Sequence, residues 1–210
     1  MKIVKFLKNS PDKLMKEIFE PFWINNEKTC KRILWVSMLT CLFNYFYLII
    51  NGYAGPDAIC EGVWYYVGGE NAVRHARWFL PMITSLFGKN FVIPLVIVVF
   101  YCLAIAVSAF IIFKLLEIKN AGFQILSVSA MVSFPVISRQ FGYLYTALVY
   151  AISFLMVILA AWLLRKRRIV CFLLGTGCLF LMFGSYQAYI GAAATIAVIC
   201  FLFDMAKKDL

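Results

Sequence analysis

The chain has 210 residues, of which 64% are hydrophobic and 14% charged, with a mean hydropathy of +0.88. That composition excludes a soluble globular domain. A formal charge of +10 would suit nucleic acid, but the basic residues cluster at the ends of apolar runs, where they set membrane orientation, and this argues against a nucleic-acid partner.

Residues 1–32 are basic and lack the apolar core and small-residue cleavage site of a signal peptide. Ser10-Pro11 is a helix-start signal. Leu14, Met15, Ile18, Phe19 and Phe22 then recur on one face. The pattern predicts an amphipathic helix, either lying on the cytoplasmic leaflet or docked on protein. Residues 33–50 form the first apolar run long enough to cross a bilayer, and a loop over 51–90 follows. Further spans are predicted over 91–113, 121–138 and 141–164. The run 169–203 is too long for one crossing, and Gly184-Ser185-Tyr186-Gln187 in its middle predicts two short spans with a tight turn. Residues 206–210 are a tail.

These elements predict an all-α integral membrane protein, a polytopic bundle of about six transmembrane helices. One membrane domain covers 33–205, with a helical outer loop between the first two spans. Of the 20 lysines and arginines, all but Arg74, Arg77, Lys89 and Arg139 fall on the side of the N-terminus. The positive-inside rule therefore predicts a cytoplasmic N-terminus and an extracytoplasmic loop. The seven cysteines show no CxxC pair and lie mostly in spans. They read as small core residues rather than a disulfide framework or a zinc site.

The spans carry almost no ionisable residue, which counts against an ion-coupled transporter. Ionisable groups collect instead in the loop, between aromatic residues. Asp57 follows Pro56 and can cap a short helix, with Glu61 one turn on and Trp64 and Tyr65 beyond. A carboxylate beside aromatic rings at the membrane surface suits sugar transfer. It can take the proton from an attacking hydroxyl while the rings pack on the sugar face. The same residues read equally as a helix cap and a solvated face. Arg74 and Arg77, three apart, can share a face toward a lipid phosphate, or Arg74 can simply pair with Glu70. His75 has no ligand partner at metal spacing, so no metal site is predicted. A divalent cation between Asp57, Glu61 and a donor phosphate is the only metal arrangement the pattern allows. Arg139-Gln140 and Ser185-Tyr186-Gln187 add polar groups in outer turns, where tyrosines also serve as interfacial anchors.

The stretches GPDAICEG, RHARWFLP (Arg74 to Pro81) and SYQAYIGA (Ser185 to Ala192) resemble the glucosyltransferase type II family over about residues 30–205. These are multi-span proteins associated with O-antigen modification and similar in plan to the GT-C glycosyltransferases. The resemblance implies a polyprenyl-phosphate-linked sugar donor, a polysaccharide acceptor, and transfer at the outer face of the bacterial inner membrane. By position, Asp57 would be the general base with Glu61 assisting. Arg74, Arg77, Trp64, Arg139, Tyr186 and Gln187 would contact substrate or its phosphate. Two departures stand out. Asp57 is followed by Ala58 where the family often has adjacent acids. Family members also continue beyond six spans, so this chain is expected to correspond to their N-terminal part. Two non-enzymatic readings compete: a flippase for lipid-linked sugars and a membrane assembly partner. A flippase needs a polar path through the spans, and an assembly partner needs no acid and arginines gathered in one loop.

Overall fold

A computed structural model describes residues 27–51, 76–86, 93–166 and 168–208. The predicted amphipathic helix before residue 27 lies outside them. Among the described residues every regular element is helical: α1 (Glu27–Asn51), α2 (Phe79–Leu86), α3 (Pro94–Leu115), α4 (Ala121–Val132), α5 (Pro135–Gln140), α6 (Leu144–Leu164), α7 (Ile169–Phe183) and α8 (Ile190–Lys208). Single 3-10 turns, Phe141–Tyr143 and Gln187–Tyr189, precede α6 and α8. Among the described residues four helices are long and apolar enough to cross a membrane: Glu27–Asn51, Pro94–Leu115, Thr146–Leu164 and Gln187–Lys207.

The helices are apolar on every side, so burial follows lipid rules rather than water rules. Without a hydrophobic drive between helices, close packing and hydrogen bonds decide which face turns inward. On α1 the buried stripe is Ile33, Ser37, Cys41, Tyr45 and Leu48, while Trp35, Leu39, Phe43 and Tyr47 are exposed. The small and polar residues face the bundle, and several of the largest apolar ones face outward. The polar groups on and beside this stripe have partners. Ser37 Oγ donates to the Cys102 carbonyl (3.2 Å) and the Tyr45 hydroxyl to the Val132 carbonyl (2.7 Å). Asn44 Nδ2 donates to Ser133 Oγ (2.6 Å), and the Thr40 and Ser129 hydroxyls meet at 3.4 Å. Such bonds across membrane helices contribute about 0.6 kcal/mol each on average.

α3 and α6 lie side by side at the centre, with α1 and α4 against α3 and with α7 against α6. Cys41 on α1 and Cys102 on α3 form a disulfide, with Cα atoms 6.7 Å apart. This corrects the reading of the cysteines for that pair. Cys30, Cys171, Cys178 and Cys200 are free and at least half-buried or partly so.

Pro135 reshapes the third predicted span. A residue before proline is pushed out of the α region, and Phe134 accordingly has φ −64° and ψ 132°. α4 therefore stops at Val132, and Pro135 starts α5 at the first helical position, where its missing N–H costs nothing. The continuous helix expected over 121–138 is two shorter pieces. At the other end of α4 the Asn120 side chain caps the helix by accepting from the Phe123 amide at 3.0 Å, a device that stabilises a helix by about 1 kcal/mol. The division expected within 169–203 is observed: α7 ends at Phe183 and α8 starts at Ile190.

The chain runs back and forth so that the bundle has two distinct ends. One gathers the start of α1, the α3–α4 and α6–α7 joints and the end of α8. There Arg165 bonds to the Leu115 carbonyl (2.6 Å) and pairs with Asp204, and Lys207 pairs with Glu117. The opposite end gathers α2, the start of α3, α5, the start of α6 and the α7–α8 turn.

Candidate functional site

The candidate site lies at this second end, and a glycine holds it together. The Gly184 carbonyl accepts from the Phe79 amide at 2.7 Å, tying the start of α2 to the turn after α7. A Cβ on Gly184 would sit 2.4 Å from Cε2 of the Trp78 indole, so only glycine admits the ring that closely. The indole also packs on Phe180, with ring centroids 5.1 Å apart. Leu80 and Ile83 on α2 are buried against Val149 of α6. Ala76 makes the turn into this segment with φ 58°, a left-handed conformation that costs an alanine roughly 1–2 kcal/mol. Packing of the Trp-Phe-Leu run onto α6 and α7 offsets that cost.

Docked in this way, Arg77 lies with its guanidinium carbon 5.3 Å from the centroid of the Tyr186 ring. A contact of that kind contributes about 0.5–1 kcal/mol when exposed, and more as water is removed. Tyr186 in turn packs on Tyr150 at 4.4 Å and edge-on to Tyr189 at 5.4 Å. The Tyr189 hydroxyl accepts from Gln140 Nε2 at 2.9 Å, and Gln140 Oε1 accepts from the Tyr101 hydroxyl. Tyr101 and Gln140 are buried. A cation–aromatic stack at the rim thus passes into a hydrogen-bonded chain that descends between α3, α5 and the turn before α8.

Beside this chain lies a cavity of about 380 Å³ between α3, the α4–α5 break and α6. Ile105, Met131, Phe134, Ile137 and Phe154 form its apolar walls, and Tyr101, Gln140 and Tyr189 its polar side. The break before Pro135 opens this space, because Phe134 and Ile137 sit on either side of it. The lining suits a largely apolar molecule entering between helices, and Tyr189 is the residue it shares with the aromatic stack that carries Arg77.

Of the residues singled out from sequence, Asp57, Glu61, Trp64 and Arg74 lie outside the described residues, as does the cation arrangement involving the two acids. Arg77 and Tyr186 are brought together, as described, and Gln187 is exposed in the same turn. Arg139 is exposed on α5, and its neighbour Gln140 is the residue that reaches the cluster. Tyr189, Tyr101 and Tyr150 were not among the predicted site residues, and Gln140 was named only beside Arg139 as a polar group of an outer turn. A signal for Gln140 was present, since an amide in a lipid-bound helix needs hydrogen-bond partners. Among the described residues no group of three His, Cys, Asp or Glu is placed to hold a metal.

The family model described as Glucosyl transferase GtrII matches residues 61–210, which is most of the chain. The chain belongs to the glucosyl transferase GtrII family. Membership implies a transferase with a sugar donor and an acceptor. The GtrII match takes in Arg77, Tyr101, Gln140, Tyr186 and Tyr189, begins at Glu61, and leaves Asp57 just before its first residue. No curated protein and no solved structure matches the chain.

Proposed function

We propose that this GtrII member is an integral-membrane glycosyltransferase of GT-C-like plan. Its six apolar segments cross the bacterial inner membrane with the N-terminus cytoplasmic. It moves a glucosyl group from a polyprenyl-phosphate-linked donor to a cell-surface polysaccharide such as O-antigen, at the outer face. The observation that supports this reading is the seating of Arg77 on Tyr186, whose neighbouring ring Tyr189 lines an apolar cavity of about 380 Å³. A cation held at the bilayer surface beside space for an apolar chain suits a lipid whose phosphate becomes the leaving group.

In this mechanism Asp57 takes the proton from the acceptor hydroxyl as its oxygen attacks the anomeric carbon. The bond from that carbon to the lipid-phosphate oxygen breaks, and the electron pair leaves with the phosphate. Arg77, with Arg74 and Arg139 nearby in sequence or on the same end, offsets the charge that grows there. The planar guanidinium offers two parallel N–H donors to a phosphate, which a lysine does not. Glu61 orients the acceptor, Trp64 packs on the sugar, and Tyr186 and Gln187 border the phosphate.

The test is transfer of radiolabelled glucose from a polyprenyl-phosphate donor in vesicles holding the full chain, with Asp57→Asn and Glu61→Gln compared side by side. Removing a general base lowers the rate by about 10²–10⁴-fold. Asp57→Asn is expected to show that loss and Glu61→Gln a smaller one. Wild-type transfer by inserted Asp57→Asn protein refutes the assignment of the base, and the reverse order moves it to Glu61.

A further inference from the structure

The end of the bundle remote from Arg77 carries a second feature, unrelated to sugar transfer. Among the described residues it holds ten lysines and arginines against three carboxylates. Each of those carboxylates is already engaged: Glu27 with Lys31 (2.5 Å), Glu117 with Lys207, and Asp204 with Arg165. Between the start of α1, the end of α3 and the α3–α4 joint lies a cavity of about 230 Å³. Lys114 and Lys119 line it, with Thr29 and Gln124. Among the described residues neither lysine forms a close ion pair, although Lys119 is near enough to Glu117 to help hold its carboxyl low. Glu117 also borders the space, but the Lys207 ammonium balances its charge.

The walls are fixed. Gln124 is buried, donates to the Ile118 carbonyl at 2.8 Å and accepts from Arg32 Nη1 at 3.1 Å, which holds a third cation behind the cavity. Phe110 and Phe113 form an apolar floor, and the Lys114 ammonium lies 5.9 Å from the Phe110 ring. Two ammonium groups without a close ion pair, one of them facing an aromatic ring at the end of an apolar helix, match an anionic group that carries hydrocarbon with it. Basic pockets between helices at this boundary bind phosphate-bearing head groups.

We propose that the cavity bounded by Lys114, Lys119, Thr29 and Gln124 binds the phosphate of an anionic membrane phospholipid. The glycerol and first acyl carbons lie against Phe110 and Phe113 where these line the cavity, and the chains continue into the bilayer. A free phosphate shares the charge but gains nothing from the floor. The site is separate from the proposed transfer site, so inactivity of an Asp57 variant leaves it untouched.

The test uses the full chain in phosphatidylcholine vesicles with spin-labelled phosphatidylglycerol or spin-labelled phosphatidylcholine, reading the motionally restricted fraction. The wild type is expected to prefer the phosphatidylglycerol label. Lys119→Gln is expected to weaken that preference about fivefold, and Lys114→Gln with Lys119→Gln about thirtyfold. Lys208→Gln removes the same charge from the same end but away from the cavity, and is expected to keep the preference. Lys119 is exposed, so its single variant carries the test if the double variant does not fold. Equal weakening by Lys208→Gln, or no weakening by Lys119→Gln, overturns the site. Release of the label by inorganic phosphate overturns its assignment to a lipid.

Discussion

Substituting Gly184 by alanine probes the contact on which the candidate site is built. Gly184 has φ −72°, which alanine adopts without strain, so the backbone contributes no penalty of its own. The added Cβ would lie 2.4 Å from Cε2 and 2.7 Å from Cζ2 and Nε1 of Trp78. Carbon atoms do not approach that closely, so the indole or the turn must shift. Overpacking of this kind costs about 1–3 kcal/mol. The Trp78 shift would also loosen the Phe79–Gly184 hydrogen bond and carry Arg77 away from Tyr186. Thermal unfolding of the purified chain in detergent measures the cost, expected as a fall of about 2–4 °C per kcal/mol. A double-mutant cycle isolates the cause. In a Trp78→Leu background the clashing atoms are gone, so Gly184→Ala is expected to cost almost nothing there. An equal cost in both backgrounds, or none in either, would show that the indole yields freely and that this contact does not fix the segment.

Two further outcomes follow from the polar groups. Gln140→Leu leaves the buried Tyr101 hydroxyl and the Tyr189 hydroxyl without their partner, at about 1–3 kcal/mol for an unmet buried group. It is expected to lower the unfolding midpoint, and an unchanged midpoint refutes the chain of bonds. At the basic end, the hydrogen bond from Lys207 holds the Glu117 carboxyl below its ordinary value of 4.5. A depressed folded-state value adds stability above about pH 4.5, and this is lost as pH falls through the folded value. The difference in midpoint between wild type and Glu117→Gln is therefore expected to be present near neutrality and to vanish in acid. A difference that is constant with pH refutes the pairing.

Much of the architecture was legible before any coordinates, for a simple reason. Long apolar runs bounded by charges have few alternatives to helices, and the Gly184-Ser185-Tyr186-Gln187 stretch marks a joint by local chemistry alone. The break inside the third segment was not anticipated because hydropathy counts Pro135 as a mere interruption, whereas its ring pushes Phe134 out of the helix beside the cavity that Tyr101 lines. The candidate site was half legible. The RHARWFLP and SYQ motifs drew attention to Arg77 and Tyr186, but their contact depends on Trp78 settling against Gly184. Nothing near either residue in the chain states that.

What the sequence determined by itself is which segments are apolar enough for lipid and at which of their ends the cations collect. Local composition decides this, because transfer to hydrocarbon depends on each segment's own side chains. What only the tertiary structure decided is rotation and neighbourhood: that Ser37, Cys41 and Tyr45 turn inward, and that Tyr101, Gln140 and Tyr189 join across two helices and the turn before α8. A helix apolar on every side has no preferred face until a neighbour supplies a hydrogen-bond partner or a close fit, and those partners come from residues remote in the chain.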